Sequence, residues 1–179
     1  MSLRGVENIT VPSFDPSLRE LDEAGVRWDV RHAIEQGFTA TLLALNAGLS
    51  PREMRRFVEI AVDEAAGRLQ VGVDMPLDSF TLAAELLAFA ADAGATHAVL
   101  GVPQAFAPTS DDDVHDAYAE LAAASSLKLV LPVGAVGFPP ELGGGVPWGA
   151  YARLAALDTV RAVTVTTWMP QILFGALQM

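Results

Sequence analysis

Residues 41–73 read TLLALNAGLSPREMRRFVEIAVDEAAGRLQVGV, and this stretch decides the fold class. It begins with a compact apolar run of strand length, 41–45, and it ends with a second such run, 69–73. Between them, the SPRE segment at 50–53 is a strong helix start, because serine can cap, proline suits the first helical position and glutamate can complete a capping box. Gly67 marks the end of that helix. The stretch therefore predicts one strand–helix–strand unit.

The same alternation continues in both directions along the chain. Further strands are predicted at 9–11, 97–102, 127–133 and 160–166, and further helices at 22–36, 79–93, 111–124 and 147–157. The strands are mostly apolar on both faces, as a parallel sheet covered by helices requires. The pattern predicts an α/β fold of repeated β-α units joined by right-handed crossovers. Periodicity leaves two architectures open, an open doubly wound sheet and part of a β/α barrel of the TIM type.

Composition predicts a single domain over residues 1–179, because the length suits one core and 51% of the residues are apolar. The chain has no cysteine, which excludes disulfides, thiolate metal sites and a cysteine nucleophile. Of its 11 basic residues, ten are arginine and one is lysine, Lys128. Any chemistry that needs a lysine of this chain has one candidate.

The formal net charge of −11 argues against several partners. Nucleic-acid binding needs a basic surface, and an anionic membrane surface would repel the chain. No apolar run of eighteen residues is present, so a membrane span is not expected either. The first eight residues have no apolar core of signal-peptide length. We therefore expect a soluble, cytoplasmic protein that binds neither nucleic acid nor membrane.

The order of the segments resembles a known family. The stretches that carry the resemblance are Thr10–Phe14, Leu49–Glu53 with the following Val58–Val62, Leu87–Ala95, Val99–Pro103 and Leu127–Pro132. In them the chain resembles the dihydrodipicolinate synthase and N-acetylneuraminate lyase family of pyruvate-handling aldolases. The resemblance implies a (β/α)₈ barrel with its site at the carboxyl ends of the strands. About six β-α units of eight can be counted, so we expect an incomplete barrel, either a fragment of a longer protein or a natural truncation.

The functional residues of that family do not carry over to this chain. The position of the Schiff-base lysine on the sixth strand matches Thr164, and a threonine cannot form an imine. The tyrosine at the end of the fifth strand matches Pro132. The Gly-Thr-Thr-Gly-Glu carboxylate cradle falls on the shorter loop 45–48, 103–106 lacks the paired aromatic step, and no arginine occurs in 134–140. No catalytic residue is therefore assigned.

Lys128 is a poor replacement for the missing lysine, because it begins its predicted strand and so belongs to the end of a barrel that serves stability. The acidic segment 111–116 has no metal-ligand spacing and is interpreted as the first turn of a helix. We expect neither a metal ion nor a cofactor. The polar side chains predicted at the strand ends, which are candidates for lining a pocket, are Asn46, Asp74, Gln104, Thr164, Thr166 and Thr167.

These residues leave several functions open, and they do not decide whether the chain is an enzyme. The first is a dihydrodipicolinate synthase-like protein without Schiff-base aldolase activity, binding a small keto or carboxylic acid. The second is a lyase or hydratase of another mechanism on the same scaffold, using Asp74 and a bound metal. The third is a non-catalytic subunit completed by a partner chain. Six strands leave two open sheet edges, so a homo-oligomer or a partner chain is expected to cover them.

Overall fold

The computed structural model describes residues 5–76, 79–101, 106–133 and 138–165. In these ranges strands and helices alternate as the sequence predicts. The strands are β1 (Glu7–Thr10), β2 (Ala40–Ala44), β3 (Gln70–Met75), β4 (His97–Leu100), β5 (Lys128–Val133) and β6 (Val160–Val165). The helices are α1 (Glu23–Glu35), α2 (Pro51–Ala65), α3 (Phe80–Ala93), α4 (Asp111–Ala123) and α5 (Trp148–Leu154).

The sheet resolves the choice between the two architectures. Its six strands are parallel and lie in sequence order, β1-β2-β3-β4-β5-β6. A doubly wound sheet reverses its strand order at a switch point, and this sheet does not. Each helix packs against the next one along the chain, from α1 to α5. The fold is therefore an incomplete β/α barrel of the TIM type.

Side chains at the helix starts explain where α2 and α4 begin. The Ser50 amide donates to a Glu53 carboxylate oxygen at 2.8 Å, and the Glu53 amide donates to the Ser50 hydroxyl at 3.4 Å. These two bonds complete the capping box that the sequence predicts. Ser110 and Asp113 form the same arrangement at α4, where hydrogen bonds from the Thr109 amide and hydroxyl lower the pKa of the Asp113 carboxyl. The acidic segment 111–116 thus starts a helix, as predicted.

The two faces of the sheet differ in how well they are covered. Side chains that point toward the helices are sealed, with Leu43 and Val73 at 0% exposure and Leu131 at 1%. Side chains on the concave face, which corresponds to a barrel interior, are less covered, and Ile9 keeps 66% of its surface exposed. The hydrophobic core of the described residues therefore lies between the sheet and its helices.

The two outer strands have free edges within the described ranges. There, β1 pairs with β2 alone and β6 with β5 alone. Ile9 and Val11, which is 58% exposed, lie beside the β1 edge. Helix α5 is shorter than predicted and ends at Leu154, where residues 155–159 turn into β6. A single domain over the whole chain stays a prediction.

Candidate functional site

Two of the predicted pocket residues meet at the carboxyl ends of neighbouring strands. Asn46 follows β2 in a turn, and Asp74 lies near the end of β3, in register with Ala44. The Asn46 amide donates a hydrogen bond to an Asp74 carboxylate oxygen, Oδ2, at 2.8 Å. A parallel sheet brings these residues together across 28 positions of sequence because its strand ends meet at one edge.

The environment of Asp74 changes its affinity for a proton. Its side chain is half-buried on the concave face, and this burial raises the pKa of the carboxyl above its usual range. The hydrogen bond from Asn46 opposes that shift by stabilising the carboxylate, and it is the smaller of the two effects. Asp74 is thus a carboxyl whose charge is destabilised by its site, as is common for groups that bind ligands or exchange protons.

The fifth and sixth strands bring together the two positions that the family resemblance aligns with catalytic residues. Pro132 of β5 and Thr164 of β6 are direct partners in the parallel register, and both line the concave face. Neither supplies an amine or a phenol. The structure therefore places the expected lysine and tyrosine positions side by side, occupied by residues that form no imine and relay no proton through a phenol.

Two buried tyrosines of the helix layer donate hydrogen bonds to backbone carbonyl groups at the ends of β4 and β5. The Tyr118 hydroxyl of α4 donates to the carbonyl oxygen of Gly101 at 2.5 Å, and the Tyr151 hydroxyl of α5 donates to that of Pro132 at 2.7 Å. Burial raises the pKa of both phenols, so they remain neutral donors. Neither tyrosine lines the concave cavity, so we interpret both as supports for the strand ends.

The amino-terminal end of the concave face carries a contact between a buried histidine and a carboxylate that sequence reasoning missed. His97 of β4 is 2% exposed, and its Nε2 atom lies 2.8 Å from a carboxylate oxygen of Glu7 on β1. Its Nδ1 atom lies 2.9 Å from the Thr96 hydroxyl. Gly72 of β3 is in register with His97, and any side chain there would overlap the imidazole. The signal available in the sequence was a glycine in the middle of a buried strand.

A cavity of about 560 Å³ connects the two ends of the concave face. Its walls are mainly apolar, with Leu42, Val99 and Val130 between the polar ends. Such a cavity, with a few polar groups at its ends, is the usual form of a small-molecule site. A larger groove of about 840 Å³ lies outside the sheet beside α1 and α2. Arg56 in this groove pairs with Glu23 at 2.5 Å and with Glu59 at 3.3 Å, and no described strand residue lines the groove.

Of the other residues named in the sequence analysis, the structure describes Lys128 but not the three remaining pocket candidates. Gln104, Thr166 and Thr167 lie outside the described residues. Lys128 is the first residue of β5, in register with His97, which confirms its predicted position at the amino-terminal end. It does not line the cavity.

The described ranges hold no group of three or more histidine, aspartate or glutamate side chains placed to bind a metal ion. Within the same ranges, no helix combines the length and the apolar character that crossing a membrane requires.

Comparisons with known proteins identify relatives of this chain. No family model matches it. It is 29% identical over 161 residues to a 4-hydroxy-tetrahydrodipicolinate synthase of Methanothermobacter thermautotrophicus, a match that covers 87% of this chain and 55% of that protein. The chain spans about half the length of the curated relatives it matches.

Solved structures show the same fold. The dihydrodipicolinate synthase of Aquifex aeolicus superposes with a TM-score of 0.84 at 19% identity, covering 98% of this chain and 59% of that one. The N-acetylneuraminate lyase of Fusobacterium nucleatum gives 0.81 at 16% identity, covering 96% and 58%. The predicted resemblance is therefore confirmed: over part of their length, this chain is similar to members of the dihydrodipicolinate synthase and N-acetylneuraminate lyase family.

Proposed function

We propose that this chain is a dihydrodipicolinate synthase-like protein that binds a small molecule on its concave face and has no Schiff-base aldolase activity. The observation that carries the proposal is Thr164, which occupies the aligned lysine position on β6 beside Pro132. An imine requires a neutral amine within reach of the substrate carbonyl. Lys128, the one lysine of the chain, begins β5 at the opposite end of the sheet.

Reductive trapping tests this proposal directly. The protein is incubated with pyruvate and borohydride, digested, and analysed by peptide mass spectrometry. We expect the peptide that contains Lys128 to keep its unmodified mass. A Thr164→Lys variant is the matched control, because it restores an amine at the aligned position. A reduced pyruvate adduct on Lys128 of the unaltered protein would contradict the proposal.

A second candidate is a lyase or hydratase that uses Asp74 as its acid or base. The observation in its favour is the raised pKa of this carboxyl, which brings its proton exchange closer to neutral pH. A metal-assisted form gains no support from the described ranges, where no ligand cluster is found. Metal analysis of the protein and of Asp74→Ala separates the two forms. Unchanged metal content together with unchanged activity in a lyase or hydratase assay would remove this candidate.

The covering of the sheet edges is also a proposal. A homo-oligomer or a partner chain would bury the exposed Ile9 and Val11 and pair the free edge of β1. A role as a non-catalytic subunit rests on the same surface. Native mass spectrometry measures the assembly size, and a stable, compact monomer would count against both.

A further inference from the structure

The charge of the concave cavity differs from what a keto acid or a carboxylic acid needs. Among the described residues, its ionisable lining residues are Glu7, Asp74 and His97, and this part of the lining contains no lysine or arginine. His97 is buried and its Nε2 atom faces Glu7 at 2.8 Å, so this pair leaves no cation free for a ligand. A carboxylate that entered the cavity would meet Asp74 without an opposite charge to stabilise it.

The loops at the carboxyl ends of the strands do not supply a cation either. None of the segments that follow β2 to β6 in this sequence contains a lysine, an arginine or a histidine. These segments are 45–50, 76–79, 101–110, 134–147 and 166–179. The β1–α1 loop contains one basic residue, Arg19, which lines the outer groove beside α2.

Two side chains on the β3 part of the lining, Gln70 and Asp74, carry oxygen atoms with spare capacity to accept hydrogen bonds. Asp74 accepts one hydrogen bond, through Oδ2 from Asn46, and no other partner is seen for it in the described ranges. The Oε1 atom of Gln70 is buried and has no hydrogen-bond partner among the described residues. Gln70 and Asp74 lie four residues apart on the same face of β3, roughly 13 Å along the strand. Since Gln70 Oε1 is buried, the carboxylate of half-buried Asp74 is the acceptor that a ligand with donors would meet.

We propose that the cavity binds a small organic cation, with a primary ammonium group against the Asp74 carboxylate and an apolar stem along Leu42, Val99 and Val130. The ammonium supplies a positive charge, which no lysine or arginine of the described lining provides, and three donors for the carboxylate. The apolar walls bury the stem, which a hydrated inorganic cation would leave unfilled. This inference rests on the small-molecule site proposed above and names the class of its ligand.

The experiment compares three probes of nearly equal size: n-butylamine, n-butanol and butyrate. Their dissociation constants are measured by ligand-observed NMR at low salt and a pH of about 8, where the free amine probe is protonated. We expect n-butylamine to bind about tenfold more tightly than n-butanol, which equals ~1.4 kcal/mol. We expect butyrate to bind most weakly of the three. Equal affinities, or tighter binding of butyrate, would overturn the inference.

An Asp74→Asn variant tests whether this carboxylate provides the selectivity. The amide preserves shape and can still accept from Asn46, so we expect n-butanol binding to persist and the amine preference to fall about tenfold. Asp92→Asn, on the exposed surface of α3, removes the same charge away from the cavity and should preserve the preference. An unaltered preference in Asp74→Asn, with n-butanol still bound, would overturn the assignment. A pyruvate adduct on Lys128 would contradict the imine-free function without changing this result.

Discussion

Neighbouring residues on one strand show how differently the two faces of this sheet are built. On β2, Leu43 points to the helices and is fully buried, whereas Leu42 points into the concave cavity and keeps 9% exposure. On β1 the contrast is larger, with Thr10 at 2% and Ile9 at 66%. The helix-facing side is completed by contacts among the described residues, and the concave side is not. We infer that the first face carries stability and the second carries binding.

The largest expected effect comes from truncating the two leucines of β2 separately. Leu43→Ala should lower the free energy of unfolding by about 3 kcal/mol, because it leaves a closed void among packed helices and strands. Leu42→Ala should cost about half as much, since its side chain already borders a cavity. Urea denaturation of both variants measures the difference. Equal losses would show that the concave face is as tightly filled in solution as the outer face.

The second test concerns the amino-terminal end of the concave face, where the His97 ring fills the space beside Gly72. Gly72→Ala should cost about 2 kcal/mol, because the new methyl group overlaps a His97 ring held by Glu7 and Thr96. In the double variant Gly72→Ala, His97→Ala, the cost of the added methyl group should largely disappear. Gly101→Ala is the control, because the new Cβ atom would lie 3.7 Å from its nearest neighbour, the carbonyl oxygen of Met75, which is an ordinary contact distance. If the double variant lost as much free energy of unfolding as the two single variants together, that result would contradict the proposed overlap.

The elements and the outer face follow from short-range patterns in the sequence. Caps such as Ser50 with Glu53 and apolar runs such as 41–45 indicate helix starts and strands within a few residues. Short-range patterns do not predict the order of the strands. A strand that is apolar on both faces gives no indication of which face will be concave. For that reason periodicity allowed a doubly wound sheet as well as a barrel.

The placement of residues at the strand ends was predictable, and the contacts that depend on pairing across the sheet were not. Asn46, Asp74 and Thr164 line one cavity because the carboxyl ends of parallel strands share one edge, and their role in binding stays a prediction. The Glu7–His97 contact joins residues 90 positions apart, and nothing local in either segment indicates it. The absence of basic residues from the strand-end loops was visible in the sequence, but its meaning required the cavity that the described residues of the concave face line.

The smallest expected effect compares a carboxyl on the concave face with one on the outer surface. Burial raises the pKa of Asp74 in the folded state, so the folded protein binds a proton at this carboxyl more tightly than the unfolded chain does. This contribution to stability is present at low pH and is lost as the pH rises through the folded-state pKa. Asp74→Asn has no such loss, so it should be more stable than the unaltered protein at neutral pH, by on the order of 0.5 kcal/mol.

Urea denaturation across a pH series measures that advantage. It should grow as the pH rises above the usual range of an aspartate and then become constant, because the unaltered carboxyl is by then fully ionised. Asp92→Asn, on the exposed surface of α3, reports what removing one charge does in a chain of net charge −11. An advantage of Asp74→Asn that shrinks as the pH rises would mean that the folded state favours the charged carboxylate. In that case Asp74 would already have a counter-charge in solution, and the concave face would not be short of cations.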